Sequence, residues 1–591
     1  MARTLAIIVA FGTLVAAAYV LNDYHIYLLS QICLAGIVAL GLVLMSGVAG
    51  LASFSQAAFV GIAAYAASVA TVSFGLSPWL GLGIALVMVA LVALLAGVVT
   101  VGLSGHYLPL CTLAWALSIY NIFGNVQGLG RFEGIGNIPP LTIFGKAVQG
   151  PLAPLLTGSL FLCLLMLSWN LLDSRIGRAL RTLSLGRQMP ECMGIATGRL
   201  RLAIFVLAAL FAALAGWLYA HIQRFVNPTP FGLDSGVEYM FMALLGGASS
   251  LWGALVGSFL LTAAKEGLRQ TLPDLFAHAG DFDIVIFSAG LILLMQWAPR
   301  GVTAWWTECW MKAKRRRRPG RAIEDGAAER LPRRALPERG SAVLAVEGVG
   351  KRFGGLVAND DISFTLHAGE VLAVIGPNGA GKSTLFNLLS GVDRADSGTI
   401  SLAGERVERR SARDIAGLGL TRTFQHVKLP AGISVLENIA VGAHRRGHAG
   451  WLRAMLRLNG GEEQSLLAEA ARQGKACGLA ERLHEQAGGL PLGLQRIVEV
   501  ARALAGDPAA LLLDEPAAGL RAGEKESLSR LIVDLRAKGL AILVVEHDMD
   551  FVMNLADRIV VINFGRVLAV GTPQEIQNNP DVLQAYLGVD A

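Results

Sequence analysis

The sequence predicts a multi-domain chain: a polytopic α-helical membrane domain followed by a soluble α/β domain built around a phosphate-binding P-loop. Of its 591 residues 54% are hydrophobic and only 16% charged, against about 25% charged in an ordinary soluble protein. The deficit is local, since no residue between Ile26 and Gly105 carries a charge while the chain beyond Ser341 has a normal polar mix. The third observation is "GPNGAGKST" at 376 to 384, set between an apolar strand and an apolar helix. So long a chain exceeds one core, and its two parts require different solvents.

The first part is expected over residues 1–310. Spanning helices need about 20 apolar residues, and segments 5–21, 27–48, 51–72, 79–103, 107–125 and 152–172 supply them. Six crossings return the chain to its starting side. The loop from Asp173 to Leu202 carries six arginines, Arg175, Arg178, Arg181, Arg187, Arg199 and Arg201, against Asp173 and Glu191, which assigns it, and therefore the N-terminus, to the cytosol. The apolar run after Arg3 reads as an uncleaved first helix rather than a secretory signal, because so many apolar segments follow it.

Segment 203–222 then crosses outward, and 284–298 has to cross back because a basic run and the soluble domain come next. An even number of crossings is left for 237–264. "LGGASS" at 245 to 250 interrupts that stretch, so two short or re-entrant segments are expected, irregular backbone at membrane depth being tolerated only when covered by protein or lining a wet cavity. Ser53, Ser55 and Gln56 form a second polar interruption, read equally as a facing of the transport path or as helix-packing contacts.

The formal charge of +6 comes from loops flanking apolar segments and from the run Lys312 to Arg318. That distribution fits the lipid bilayer and its anionic surface, and excludes nucleic acid as a partner. Six cysteines, Cys33, Cys111, Cys163, Cys192, Cys309 and Cys477, make no CxxC pair, so neither a disulfide nor a metal framework is expected. Residues 311–341, with Pro332, Pro337, Gly320 and Gly340 and no apolar period, form a linker. At roughly 3.3 Å per residue it reaches on the order of 100 Å, so docking of the soluble domain on its own membrane half is not required by the tether.

Residues 342–591 carry the chemistry. After the strand "VLAVI", Gly376, Gly379 and Gly381 let the backbone turn its N–H groups inward around phosphates, with Pro377, Asn378 and Ala380 completing the loop between them. Lys382 brings a point charge to the β and γ oxygens, Ser383 a hydroxyl to Mg²⁺, and Thr384 continues the helix N-terminus whose dipole favours the anion. A second strand, "ALLLDEP", ends in two acids: Asp514, placed to hold Mg²⁺ through water, and Glu515, placed to polarise an attacking water. A third, "AILVVEHD", ends in His547, a hydrogen-bond donor toward the γ-phosphate.

Together these motifs resemble the ATP-binding cassette (ABC) ATPases over essentially all of 343–591. The resemblance implies ATP hydrolysis with ATP and Mg²⁺, Phe353 in "GKRFGG" stacked on adenine, Gln425 in "TRTFQHVKLP" sensing both metal and membrane domain, and a helical subdomain from about Pro430 to Asp507. More narrowly, "RTFQHV", "DEPAAGL", "VEHDM" and "GTPQEIQNNPDVLQAYLG" are similar to the ATPase of high-affinity branched-chain amino-acid importers. "SRIGRALR" and "ALLGGASSLWGALVGS" are similar to a permease of the same system. The chain thus resembles two subunits fused. In "QMPECMGI", Gly194 alone matches the coupling-helix pattern of such importers.

What the resemblance implies is import of branched-chain or related amino acids across the bacterial inner membrane, with linker and ATPase domain cytosolic. The partners implied are a second permease, a second ATPase and an extracytoplasmic solute-binding protein, in a hetero-oligomer. Urea, amides and aromatic acids are alternative cargoes, and an exporter or a nucleotide-gated channel the alternative classes. Such ATPases pair head to tail, so the heptad "LPLGLQR" at 490–496 would act through Gly493 on the partner's ATP. Pro491 replaces the usual serine there, and farther on Arg521 stands where many such ATPases carry an aspartate after "GL". An asymmetric pair is expected, the site using Lys382 and Glu515 hydrolysing and the site completed by Gly493 slower.

Overall fold

The computed structural model describes residues 2–103, 107–275, 289–290, 292–293, 295–298, 301–303, 329–430 and 432–587. The crossing expected at 284–298 and the linker up to residue 328 fall largely outside the described residues. The chain divides into two compact units, and the division does not follow two consecutive blocks. One unit holds 1–171 and 198–317, and the other holds 172–197 together with 318–591.

The first unit is helical: α1 (Ala2–Val20), α2 (Asp23–Leu42), α3 (Gln56–Val72), α4 (Pro78–Thr100), α5 (Tyr107–Asn125) and α6 (Leu152–Leu172), then, beyond α7 (Arg175–Thr182) and α8 (Gln188–Cys192) of the other unit, α9 (Thr197–Gln223), α10 (Leu233–Gly247) and α11 (Gly253–Leu275). Among the described residues, five helical stretches are long and apolar enough to cross a membrane. On α4 the small residues Gly81, Ala85, Ala93 and Ala96 are buried while Leu80, Val87, Leu91, Leu95 and Val98 are exposed. This inverts the pattern of a soluble helix and is what lipid contact requires, small side chains letting helices approach.

Two stretches depart from regular helix. Residues 51–55, expected as the start of a spanning segment, are not helical: the Ser53 and Ser55 hydroxyls bond each other at 2.9 Å before α3 begins at Gln56. The second helix also ends in a π-helical turn, Val43–Val48. At "LGGASS" the chain breaks into α10, 15 residues long, and α11. Fifteen residues at about 1.5 Å rise fall short of a bilayer core of about 30 Å. The two helices pack antiparallel and touch backbone to backbone, because a Cβ on Gly257 would stand 1.8 Å from the Met242 carbonyl oxygen and one on Gly246 would stand 1.7 Å from that of Gly253.

The second unit holds two sheets. An antiparallel one orders β2-β1-β4-β5 from β1 (Ala342–Phe353), β2 (Leu356–His367), β4 (Ser397–Leu402) and β5 (Glu405–Arg406). The other orders β10-β9-β3-β8-β7-β6 from β3 (Val371–Ile375), β6 (Leu420–Arg422), β7 (Ala510–Asp514), β8 (Ala541–Val545), β9 (Arg558–Asn563) and β10 (Arg566–Gly571), parallel except for β10. Strands β3, β7 and β8 are buried at every position, which is why they read as unbroken apolar runs. Helix α12 (Lys382–Leu389) follows β3, and α13 (Ala412–Leu418) precedes β6. Helices α14 (Val435–Gly442), α15 (Gly460–Ala476) and α16 (Leu492–Ala505) form the subdomain between β6 and β7, packed through Ile439, Leu466, Ala470, Val498 and Ala501. Helix α17 (Ala522–Ala537) follows β7.

Candidate functional site: the P-loop and its carboxylates

Because β3, β8 and β7 are parallel neighbours in register, with Val545 opposite both Val374 and Asp514, the loops leaving their C-terminal ends share one edge of the sheet. Ligands of open α/β sheets bind at that edge. Loop 376–381 leaves β3 there. Gly381 has φ +98°, and a Cβ on it would stand 2.2 Å from the Ala358 carbonyl oxygen, while a Cβ on Gly376 would stand 2.0 Å from that of Ile562. No other residue type fits either place.

Lys382 opens α12 and folds back over its own loop, its Nζ donating to the Gly376 oxygen at 2.6 Å and the Pro377 oxygen at 2.9 Å. Burial holds its ammonium below the ordinary lysine value, and Glu515 opposes that shift. An arriving phosphate supplies better acceptors than two carbonyls. Ser383 is exposed on the first turn of α12 with Thr384 beside it, and Phe353, at the end of β1, is 47% exposed with the Lys351 ammonium 5.3 Å from its ring centre.

The two acids take opposite environments. Asp514 is buried and paired with Arg422, Nη2 to Oδ2 2.8 Å, and the same guanidinium donates to Asn387 and Ser390. Glu515, one residue on, stands at φ +45°, a region that non-glycine residues enter at a cost of order 1–3 kcal/mol and typically at functional sites. Its Oε2 accepts from Gln425 Nε2 at 2.9 Å and lies 3.9 Å from His547 Nδ1. The backbone is fixed around it, Glu515 N–H donating to the Val545 oxygen at 2.8 Å. Arg496 of α16 donates to the Glu515 oxygen at 2.8 Å and the Gln425 oxygen at 3.2 Å.

The structure thus gathers loop 376–384, Asp514, Glu515, Gln425 and His547 at one edge. Gly493 lies elsewhere, in the first turn of α16, where a Cβ would meet the Glu524 carboxylate at 2.4 Å. Three residues that sequence reasoning passed over support the site. Arg422 and Arg496 are described above; Glu546 is fully buried between the acids' loop and His547, accepting from Ala517 N–H at 2.6 Å and His547 N–H at 3.1 Å. Burial raises its carboxyl above the usual range while those N–H groups oppose. Arg422 gave little signal, being the last residue of the short strand Leu420–Arg422 after the polar Thr421. Arg496 and Glu546 gave none beyond their neighbours.

A second constellation lies on segment 172–197, packed within this unit. Arg178, 2% exposed, pairs with Glu463 of α15. Arg175 donates to the His444 oxygen at 2.7 Å and the Ala449 oxygen at 2.9 Å, and its backbone N–H to Glu463 at 3.1 Å. Gly194, the one coupling-helix match, is in contact too: at φ +78°, a Cβ there would stand 2.1 Å from Arg445 Cδ. The long linker therefore does not decide the docking of this loop, which the ATPase-side residues hold themselves.

Chemically, the edge can seat a phosphate chain under inward N–H groups and hold a water against Glu515. The donors available to a metal there, the Ser383 hydroxyl, the Gln425 amide oxygen and the Asp514 carboxylate, are all hard oxygens and few in number, which fits Mg²⁺ shared with substrate phosphates and not a protein-only cage. Among the described residues no cluster of three His, Cys, Asp or Glu could hold a metal alone.

Comparison with known proteins bears on both halves. The family model for a branched-chain amino acid transport system permease component matches residues 24–295, the ABC transporter model matches 359–518, and the branched-chain amino acid ATP-binding cassette transporter model matches 566–591. The high-affinity branched-chain amino acid transport ATP-binding protein LivG of Salmonella typhimurium is 44% identical over 249 residues, 42% of this chain and 98% of LivG. BraF of Pseudomonas aeruginosa, with the same description, is 41% identical over the same shares. A solved nucleotide-free ATP-binding cassette from an ABC transporter is 30% identical, covering 42% of this chain and all of that one, with a TM-score of 0.38.

Proposed function

The chain belongs to the branched-chain amino acid ABC transporter family, and from that premise we propose that it is a permease and ATPase in one polypeptide, importing branched-chain amino acids across the bacterial inner membrane at the expense of ATP. The observation that carries this reading is the union in one chain of a permease match over 24–295 and a complete phosphate-loop edge. ATP hydrolysis in the second half is coupled to transport through the first. The chain is a multi-pass membrane protein whose ATPase domain is cytosolic. Its complex contains a second permease, a second ATPase and an extracytoplasmic solute-binding protein that delivers cargo.

On ATP arrival the N–H groups of loop 376–381 and the Lys382 ammonium, released from its two carbonyls, take the phosphate oxygens. Phe353 offers a face to the adenine. Mg²⁺, when bound, neutralises phosphate charge, and Ser383, Gln425 and Asp514 are the residues that would hold it. Glu515 accepts a proton from the attacking water, and its φ +45° backbone aims the carboxylate. His547 donates toward the γ-phosphate, and Gln425, bonded to Glu515, reports the state of the site to the membrane half.

Proteoliposomes bearing the whole assembly provide the test. Glu515→Gln should retain ATP binding and slow phosphate release by about 10²- to 10⁴-fold, the usual worth of a positioned base, and uptake of radiolabelled leucine should fall with it. Liganded binding protein should raise the ATPase rate of the unsubstituted assembly. Uptake that survives Glu515→Gln in this chain combined with replacement of the catalytic glutamate of its partner ATPase would overturn the reading, and an ATPase indifferent to liganded binding protein would favour export.

A further inference from the structure

A recess of about 460 Å³ lies in the second unit away from the phosphate-loop edge, and none of the nucleotide-site residues line it. Its wall carries four guanidiniums, Arg333, Arg334, Arg445 and Arg446, against one carboxylate, Asp507. Cys192 and Met193 of the loop between α6 and α9 form another side. Like charges repel unless something offsets them, and the offset is incomplete. Arg446 has Glu469, at 3.4 Å, and the oxygens of Ala505 and Pro332. Arg334 donates to the Gly417 oxygen at 2.8 Å, with Asp507 taken up by its backbone N–H. Arg445 donates to the Arg413 oxygen at 2.6 Å, and among the described residues no carboxylate pairs with it.

The arginines are nevertheless seated. A Cβ on Gly417 would stand 2.5 Å from Arg445 Nη2, and one on Gly419 would stand 2.1 Å from Arg334 Nη1, so the guanidiniums lie in space that these two glycines leave open. Loss of solvent holds Arg334 below the ordinary guanidinium value; Asp507 opposes the shift and Arg445 adds to it. An independent sign of a missing partner stands on the same wall. Thr421, 3% exposed, has a hydroxyl with no hydrogen-bond partner among the described residues. A buried orphan hydroxyl is disfavoured by about 1–3 kcal/mol.

We propose that this recess is a binding site for a small soluble phosphate-bearing anion, which Arg334, Arg445 and Arg446 grip and the Thr421 hydroxyl completes. Forked guanidiniums are the group suited to phosphate, and the volume admits a phosphorylated metabolite of modest size. The anion joins three parts: the end of the linker through Arg334, the helical subdomain through Arg445 and Arg446, and β6 through Thr421, four residues before Gln425.

Equilibrium dialysis of the full complex in nanodiscs tests it, with radiolabelled glycerol 3-phosphate as probe and saturating ADP present to block the phosphate loop. In neutral-lipid discs one saturable site per chain is expected, weakened on the order of tenfold or more by Arg445→Gln and likewise by Arg334→Gln, with Arg409→Gln, outside the recess, unchanged. Arg334 lies at the surface end of the linker, so its substitution leaves folding out of the result. No saturable binding, or binding equal in all variants, overturns the proposal. So does binding that ADP abolishes, which would place the probe in the nucleotide site. Protection of Arg334 and Arg445 from arginine-directed labelling by phosphatidylglycerol in the discs, with no binding of the soluble probe, would assign the site to a lipid headgroup and overturn the soluble ligand.

Discussion

Arg422 decides how firmly Asp514 is held. Both partners are nearly solvent-free, and breaking such a pair from one side is strongly destabilising because the remaining charge stays buried, by about 3–5 kcal/mol. Asp514→Asn should therefore lower the denaturation midpoint of the purified complex as well as abolish turnover. Unchanged stability alongside lost turnover would mean that the pair serves catalysis alone. The placement of loop 376–384, Asp514, Glu515 and His547 at one edge of the sheet was legible in the sequence, because each stands at or just past the end of an apolar strand. The Asp514–Arg422 pairing was not, since it joins residues 92 apart in the chain.

At the level of elements, apolar length located, among the described residues, five helices long and apolar enough to span, including Pro78–Thr100, Tyr107–Asn125 and Leu152–Leu172, while the expected spans 5–21 and 51–72 correspond to shorter apolar helices, Thr4–Val20 and Gln56–Val72. It gave less where glycine or serine replaces bulk. Residues 51–55 look apolar enough to be helix, yet hydroxyl bonds end the pattern, and the break between α10 and α11 was readable only as a break, not as a hairpin with touching backbones. Least legible was the fate of "SRIGRALR". Its arginines announce a cytosolic loop by count, but their contacts depend on Glu462 and Glu463 nearly 290 residues away. Glu463→Gln leaves Arg178 buried without its counter-charge. The expected outcome is a basal ATPase rate that persists while stimulation by liganded binding protein is lost; full stimulation in that variant would show that the Arg178 contact does not transmit.

For the assembled molecule, the consequence of "LPLGLQR" falls on the partner's nucleotide. Pro491 is the N-cap of α16 and makes no side-chain cap bond, and proline offers neither hydroxyl nor N–H. With Gly493 covered by Glu524, the site that this chain completes for its partner is expected to turn over more slowly than the one using Lys382 and Glu515. Replacing the partner's catalytic glutamate by glutamine should accordingly leave most of the transport rate intact. Complete loss would make the two sites equivalent.

Segment 172–197 gives the fusion a meaning that its linker does not. A motor excised at residue 342 would come away with a bare flank: Glu463 would face water where Arg178 now covers it, and Gly194 would no longer roof the stem of Arg445. The cassette's outer wall is supplied by the very polypeptide it drives, so severing the tether in a folded complex cuts one strand of attachment and leaves the other clasped.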